Sequence, residues 1–368
     1  MDEKIIVAGI SQGDINGIGY EVIIKTLMDT EINDCCIPVV YGSPKVAAYH
    51  RKALNINNFN FNNIRSAEEA HHQKANLINC LDDNVRVELG KSTTQGGEAA
   101  FASLEKAVAD LKSGKVDVLV TAPIDKNNIQ SDAFRFRGHT EYLMEKAEVE
   151  DVLMFLVSES LRIGVATGHV PLREVPGLIS AGLLIRKIKL MNQSLLVDFG
   201  IRKPRIAVLG LNPHAGDNSL IGREEEDIIV PAIQQVVRDN ILAFGPFPAD
   251  GFFGSGSFTK FDAILAMYHD QGLIPFKALS FDTGVNFTAG LPWVRTSPVH
   301  GTAYQIAGKG EACESSFRHA LFLARDIFRN RQLYAEISRN PLTHQDIEIL
   351  SDRVDELPPE IPNSDQHL

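Results

Sequence analysis

Ala263-Ile-Leu-Ala-Met267 is an uninterrupted apolar run that ends at once in Tyr268-His-Asp-Gln-Gly272, with Lys277 close behind. A strand that is apolar at every position is covered on both faces, so the run points to a sheet packed between helices rather than one open to water on one side. Gln271-Gly272 reads as a break, which places His269 and Asp270 at the strand's carboxyl end. Similar short runs recur at 4–9, 37–41, 116–123, 152–157, 161–167 and 205–211, and amphipathic helical patterns at 20–28, 97–111, 224–240 and 315–334. An α/β fold is therefore expected, and in open α/β sheets ligands bind outside the carboxyl ends of the strands.

A chain of 368 residues is long for one core, so two domains are the expectation. The division expected is residues 1–130 with about 303–350 as one α/β domain and 131–302 as a second that carries most site residues. From about Ser351 onward, prolines and acids in Leu357-Pro-Pro-Glu-Ile-Pro362 suggest a loosely docked tail. A net charge of -11 argues against nucleic acid as the main partner. No apolar run reaches membrane-spanning length, and Met1-Asp-Glu-Lys4 does not resemble a secretory signal, so a cytoplasmic location is expected. Cys35, Cys36, Cys80 and Cys313 show no C-x-x-C spacing, which speaks against a cysteine zinc site.

Three of the strand-like runs deliver a histidine just past their ends: Thr167-Gly-His169, Leu211-Asn-Pro-His214 and Tyr268-His269. Neutral imidazoles from separate strands suit a divalent metal with an open position for substrate; zinc, cobalt, manganese and magnesium all remain admissible. Arg135-Phe-Arg-Gly-His-Thr-Glu141 precedes a helical stretch, with Thr140 the expected N-cap, and that concentration of donors at a helix start suits an anion. Asn286 and Arg295 are polar groups in apolar surroundings, a common way of orienting a small ligand. His71-His72 reads as a solvated surface pair. The glycine loop Gly13, Gly17, Gly19 fits neither G-x-G-x-x-G nor a P-loop, and tight-turn geometry and ligand contact stand about level as its explanation.

Taken together, Gly138-His-Thr-Glu-Tyr-Leu143, Thr167-Gly-His169, Leu211-Asn-Pro-His-Ala-Gly216, Gly245-Pro-Phe-Pro-Ala-Asp250, Tyr268-His-Asp-Gln-Gly272 and Gly290-Leu-Pro-Trp-Val-Arg-Thr-Ser297 resemble the 4-hydroxythreonine-4-phosphate dehydrogenases of vitamin B6 biosynthesis. The resemblance spans roughly residues 4–335. It implies two α/β/α domains with a cleft between them, like isocitrate and isopropylmalate dehydrogenases rather than Rossmann enzymes. It also implies a homodimer whose active site is shared, with His169 from one subunit and His214 and His269 from the other.

On this resemblance the metal ligands fall on His169, His214 and His269, the substrate contacts on His139, Thr140, Lys277, Asn286 and Arg295, and the catalytic positions on Lys277, Asp250 and Asp270. The implied reaction is NAD- or NADP-dependent, metal-dependent oxidation of 4-phosphonooxy-threonine, with decarboxylation to 3-amino-2-oxopropyl phosphate. Oxidation of a threonate or erythronate phosphate is the neighbouring alternative, and an inactive metal- or anion-binding protein is the alternative from another class. Ile15, Asn16 and Tyr20 stand where the family usually carries Pro, Ala and Pro.

Overall fold

A computed structural model describes residues 5–82 and 84–340; the tail expected after residue 350 lies outside the described residues. The strands are β1 (Ile6–Ser11), β2 (Cys36–Gly42), β3 (Asn62–Ile64), β4 (Asn76–Asn79), β5 (Val118–Thr121), β6 (Leu153–Val157), β7 (Arg162–Val165), β8 (Arg205–Leu209), β9 (Leu242–Phe247), β10 (Ala263–Ala266), β11 (Val285–Ala289) and β12 (Val294–Pro298). They form one sheet in the order β3-β4-β2-β1-β5-β12-β11-β6-β7-β10-β8-β9. The flanks are parallel, and antiparallel pairings of β11 with β12 and β6, and of β6 with β7, join them in the middle. The sheet is continuous across the division expected near residue 130, because β5 pairs directly with β12.

The apolar runs are buried on both faces. In β10, Ala263 and Leu265 pack into one core while Ile264 and Ala266 pack into another, and β5 alternates likewise, with Val118 and Val120 on one side and Leu119 on the other. Helix Ser315–Ile337 lays Phe317, Ala320, Leu321, Ala324 and Ile327 on the first face, a stripe at three- and four-residue spacing. Helix Thr94–Lys112 covers the opposite face with Ala100, Leu104, Ala107, Val108 and Leu111. Thr93 starts that helix by accepting a hydrogen bond from the Gly96 amide at 3.1 Å, a cap contributing about 1 kcal/mol. Ser43 and Pro44 begin helix Pro44–Ala53 as expected, the Ser43 hydroxyl accepting from the Val46 amide.

Two local expectations are corrected. Gln271-Gly272 is no break: a helix runs from His269 to Ser280 straight through it. Gly272 is there for close approach, since a Cβ on it would lie 2.9 Å from Ile163 on β7. Lys277 therefore sits on a helix, two turns beyond His269. Thr140 is not an N-cap either; the helix begins at His139 after an extended Gly138, and no side chain caps it. Among the described residues, no helix is long and apolar enough to cross a membrane.

Candidate active site

A cavity of about 280 Å³ lies over the middle strands β12, β11 and β6. Its walls come from the segments just past the carboxyl ends of β5, β7, β10 and β12. His139, Thr140, His169, His269, Lys277, Asn286 and Arg295 all line it, seven of the ten residues singled out from the sequence. His214, Asp250 and Asp270 do not line it. Asp250 is exposed on helix Ala249–Gly254. His214 is exposed on a loop where residues 214–219 all have positive φ.

His169 and His269 come together because β7 and β10 are hydrogen-bonded neighbours, and their ring centroids are 5.3 Å apart. Asp270 acts through His269: its Oδ1 is 2.6 Å from His269 Nδ1, which fixes the ring and leaves Nε2 available. Burial, then the charge of Lys126, holds His169 below the usual histidine range and so neutral. Two imidazoles side by side, one of them oriented by a carboxylate, fit a divalent cation. Among the described residues no group of three His, Cys, Asp or Glu side chains is placed to hold a metal, so one chain offers this pair alone. Within the chain, then, His169 and His269 stand together at the cavity, and His214 stands apart from them.

The rest of the charged lining is mainly cationic. Arg295 is 3 % exposed, and burial pushes its pKa down to about 10. Lys126 and Lys277 add two more cations to the lining against the single carboxylate of Glu141. His139 is driven well below the usual histidine range by burial first and by Arg295 and Lys126 second, so it too is neutral. His139 Nε2, Asn286 Oδ1 and His300 Nε2 are buried without any hydrogen-bond partner, and all three residues line this cavity. Each such atom costs about 1–3 kcal/mol when left unpaired, so a polar ligand that satisfies them recovers that energy on binding.

Arg137 does not line the cavity but donates to the His169 carbonyl at 3.3 Å, while Arg135 pairs with exposed Asp132. Lys126 and His300 also line the cavity, beyond the residues expected from the sequence. The signal was available, since each follows the carboxyl end of a strand, β5 and β12, as His169 and His269 do. His71 is exposed and His72 half-buried in a turn, away from the cavity.

The glycine loop contributes no lining residue. Residues 11–20 are wholly buried; Gly13 has φ +71° and a Cβ there would lie 2.4 Å from the Pro123 carbonyl. Tight-turn geometry accounts for the loop, which braces the cavity wall at 121–124 from behind. The three unusual residues each have a local partner. The Ile15 carbonyl accepts from His50 Nε2 at 2.7 Å, Asn16 bridges Thr93 and the Glu88 amide, and the Tyr20 hydroxyl accepts from the Ser43 amide at 3.0 Å.

Residues 34–324 match the family model described as pyridoxal phosphate biosynthetic protein PdxA. A 4-hydroxythreonine-4-phosphate dehydrogenase of Bacteroides thetaiotaomicron is 52% identical over 346 residues, covering 94% of this chain and 95% of the relative. A D-threonate 4-phosphate dehydrogenase of Cupriavidus necator is 39% identical, covering 87% of this chain and 97% of its own. The crystal structure of the Klebsiella pneumoniae 4-hydroxythreonine-4-phosphate dehydrogenase superposes with a TM-score of 0.77 at 33% identity, covering 89% of this chain and 99% of that one.

Proposed function

The chain belongs to the PdxA family of dehydrogenases, and from that premise we propose that it oxidises 4-phosphonooxy-threonine with NAD or NADP and releases carbon dioxide to give 3-amino-2-oxopropyl phosphate. The observation that carries this reading is the charge of the cavity. Lys126, Lys277 and the fully buried Arg295 face one carboxylate, Glu141, a surplus suited to a small ligand bearing both a phosphate and a carboxylate.

In this reading His169 and His269 would hold a divalent metal, and His214 of a second copy would complete the set in a homodimer. When bound, such a metal polarises the substrate hydroxyl and stabilises charge on its oxygen. NAD(P), when bound, would supply the hydride acceptor. The chain's own groups do the rest: Arg295, His139 and Thr140 bind and orient the anionic ends, and Asn286 offers its free Oδ1 to a donor on the substrate. Lys277 reaches the cavity from the helix that begins at His269 and serves as the proton-transfer group, while Asp270 keeps the His269 ring in place. Asp250 can take part only if the partner subunit brings it to the cavity.

The kinship to D-threonate 4-phosphate dehydrogenases supports a second substrate of the same class, identical at the phosphate and carboxylate and differing in a hydroxyl for the amine. The test is formation of reduced nicotinamide with each compound, with detection of the amino ketone phosphate for the first. Turnover of D-threonate 4-phosphate alone would transfer the assignment to the second substrate. Turnover of neither, with metal bound, would favour a binding protein.

A further inference from the structure

Arg295 is a buried cation without an ion-pair partner among the described residues, and the charge of Glu141 alone favours its protonated form. Neutral hydroxyls hold it instead. Its Nε and Nη2 both donate to Thr121 Oγ1, at 3.2 and 2.6 Å, and its Nη1 donates to Thr288 Oγ1 at 3.3 Å. The sheet register makes this possible. Phe287 pairs with Thr296 across the antiparallel β11–β12 ladder, which sets Thr288 opposite Arg295; Leu119 pairs with Arg295 across β5–β12, which sets Thr121 two residues further on, on the same face.

A guanidinium has five N–H groups. Three are engaged, which leaves one on each terminal nitrogen. The forked bond to Thr121 occupies the edge shared by Nε and Nη2, so the second N–H of Nη2, on the edge toward Nη1, is left for the cavity that Arg295 lines. A carboxylate in place of either threonine would satisfy the same donors but cancel the charge. A hydroxyl satisfies them and leaves the charge intact.

We infer that Thr121 and Thr288 are positioning residues that clamp the Arg295 fork, so that its free edge takes one oxyanion end of a phosphorylated four-carbon acid. Thr121 is the principal member, because it accepts two of the three bonds, including the short one. The inference rests on the reading of the cavity as the site for such an acid. It holds equally for 4-phosphonooxy-threonine and D-threonate 4-phosphate, whose anionic ends are the same.

The experiment titrates both compounds calorimetrically into the intact protein without nicotinamide, for the wild type and for Thr121→Val, Thr121→Ser and Thr288→Val. Thr121→Val, which keeps the shape and removes the acceptor, is expected to weaken binding about tenfold or more, Thr121→Ser to restore it to within about twofold, and Thr288→Val to weaken it about two- to fivefold. In turnover, Thr121→Val should raise the KM of the phosphorylated acid while leaving the nicotinamide KM unchanged and lowering kcat much less. Should Thr121→Val fail to fold, the comparison of Thr288→Val with Thr288→Ser decides, since both keep the main clamp. Valine variants that bind as the wild type does would overturn the clamp while leaving the substrate reading in place. Failure of the wild type to bind either compound would overturn the substrate reading, and the ligand assigned to the clamp with it.

Discussion

Lys126 Nζ stands 3.2 Å from Nε2 of His169, one of the two ring nitrogens a metal could use. The lysine sits just past β5 and the histidine just past β7, on opposite sides of the central strands. A cation already occupies that position electrostatically, so metal binding at Nε2 of His169 requires the ammonium to move away. Two like charges about 4 Å apart repel by about 1 kcal/mol in water and more in a partly buried cleft.

On the proposed metal site, chelation is expected to abolish turnover and added divalent metal to restore it. Lys126→Met should tighten the binding of added cobalt or zinc about three- to tenfold, read by calorimetry independently of activity. Full turnover in protein shown by elemental analysis to be metal-free would remove the metal from the proposal, and unchanged affinity in Lys126→Met would remove the competition.

For the homodimer proposed above, in which His169 and His269 of one chain meet His214 of the other, mixing experiments have a specific pattern. Subunits carrying His169→Ala and His214→Ala, each inactive alone, are expected to recover about a quarter of wild-type activity after random exchange, since half the dimers are mixed and one of their two sites is intact. Subunits carrying His169→Ala and His269→Ala should recover nothing. Recovery from the second pair, with exchange demonstrated by differently tagged chains, would show that the two histidines act in different sites.

Arg295→Lys should raise the KM of the phosphorylated substrate about tenfold or more and leave that of the nicotinamide nearly unchanged, because a point charge cannot donate to Thr121 and Thr288 and still present a flat fork. The reverse split would assign Arg295 to the nicotinamide.

His269→Ala should lower kcat/KM by about a hundredfold or more. His71→Ala, on the exposed turn, should change stability by less than about 0.5 kcal/mol and leave kinetics alone. Equal losses in the two variants would contradict the placement of the site.

The glycine loop is a structural support, and its substitution should report on stability before chemistry. Gly13→Ala forces a Cβ to 2.4 Å from the Pro123 carbonyl at φ +71°, and is expected to cost about 2 kcal/mol or more in denaturant unfolding. A variant as stable as the wild type would mean that the loop can shift, reopening ligand contact as its role.

What the amino-acid order determined by itself was local. Runs such as Ala263–Ala266 have no polar face, so they fold as strands buried on both sides, and a polar residue past the end of such a run is at the edge where ligands bind. That was enough to mark His169 and His269, and a polar group set in apolar surroundings marked Asn286 and Arg295, whereas Gln271-Gly272 and Thr140 misled because a glycine and a threonine have more than one use. Gly272 lets a helix lie close on β7, and Thr140 sits inside the helix it was expected to begin. Tertiary structure decided what meets what. The pairing of β7 with β10 brings His169 and His269 together and leaves His214 aside, and the central ladders set Thr121 and Thr288 on a buried Arg295. The physical reason is that backbone periodicity acts over a few residues and is written in their order, while charge, burial and hydrogen-bond partners depend on distances that only the order of strands in the sheet creates.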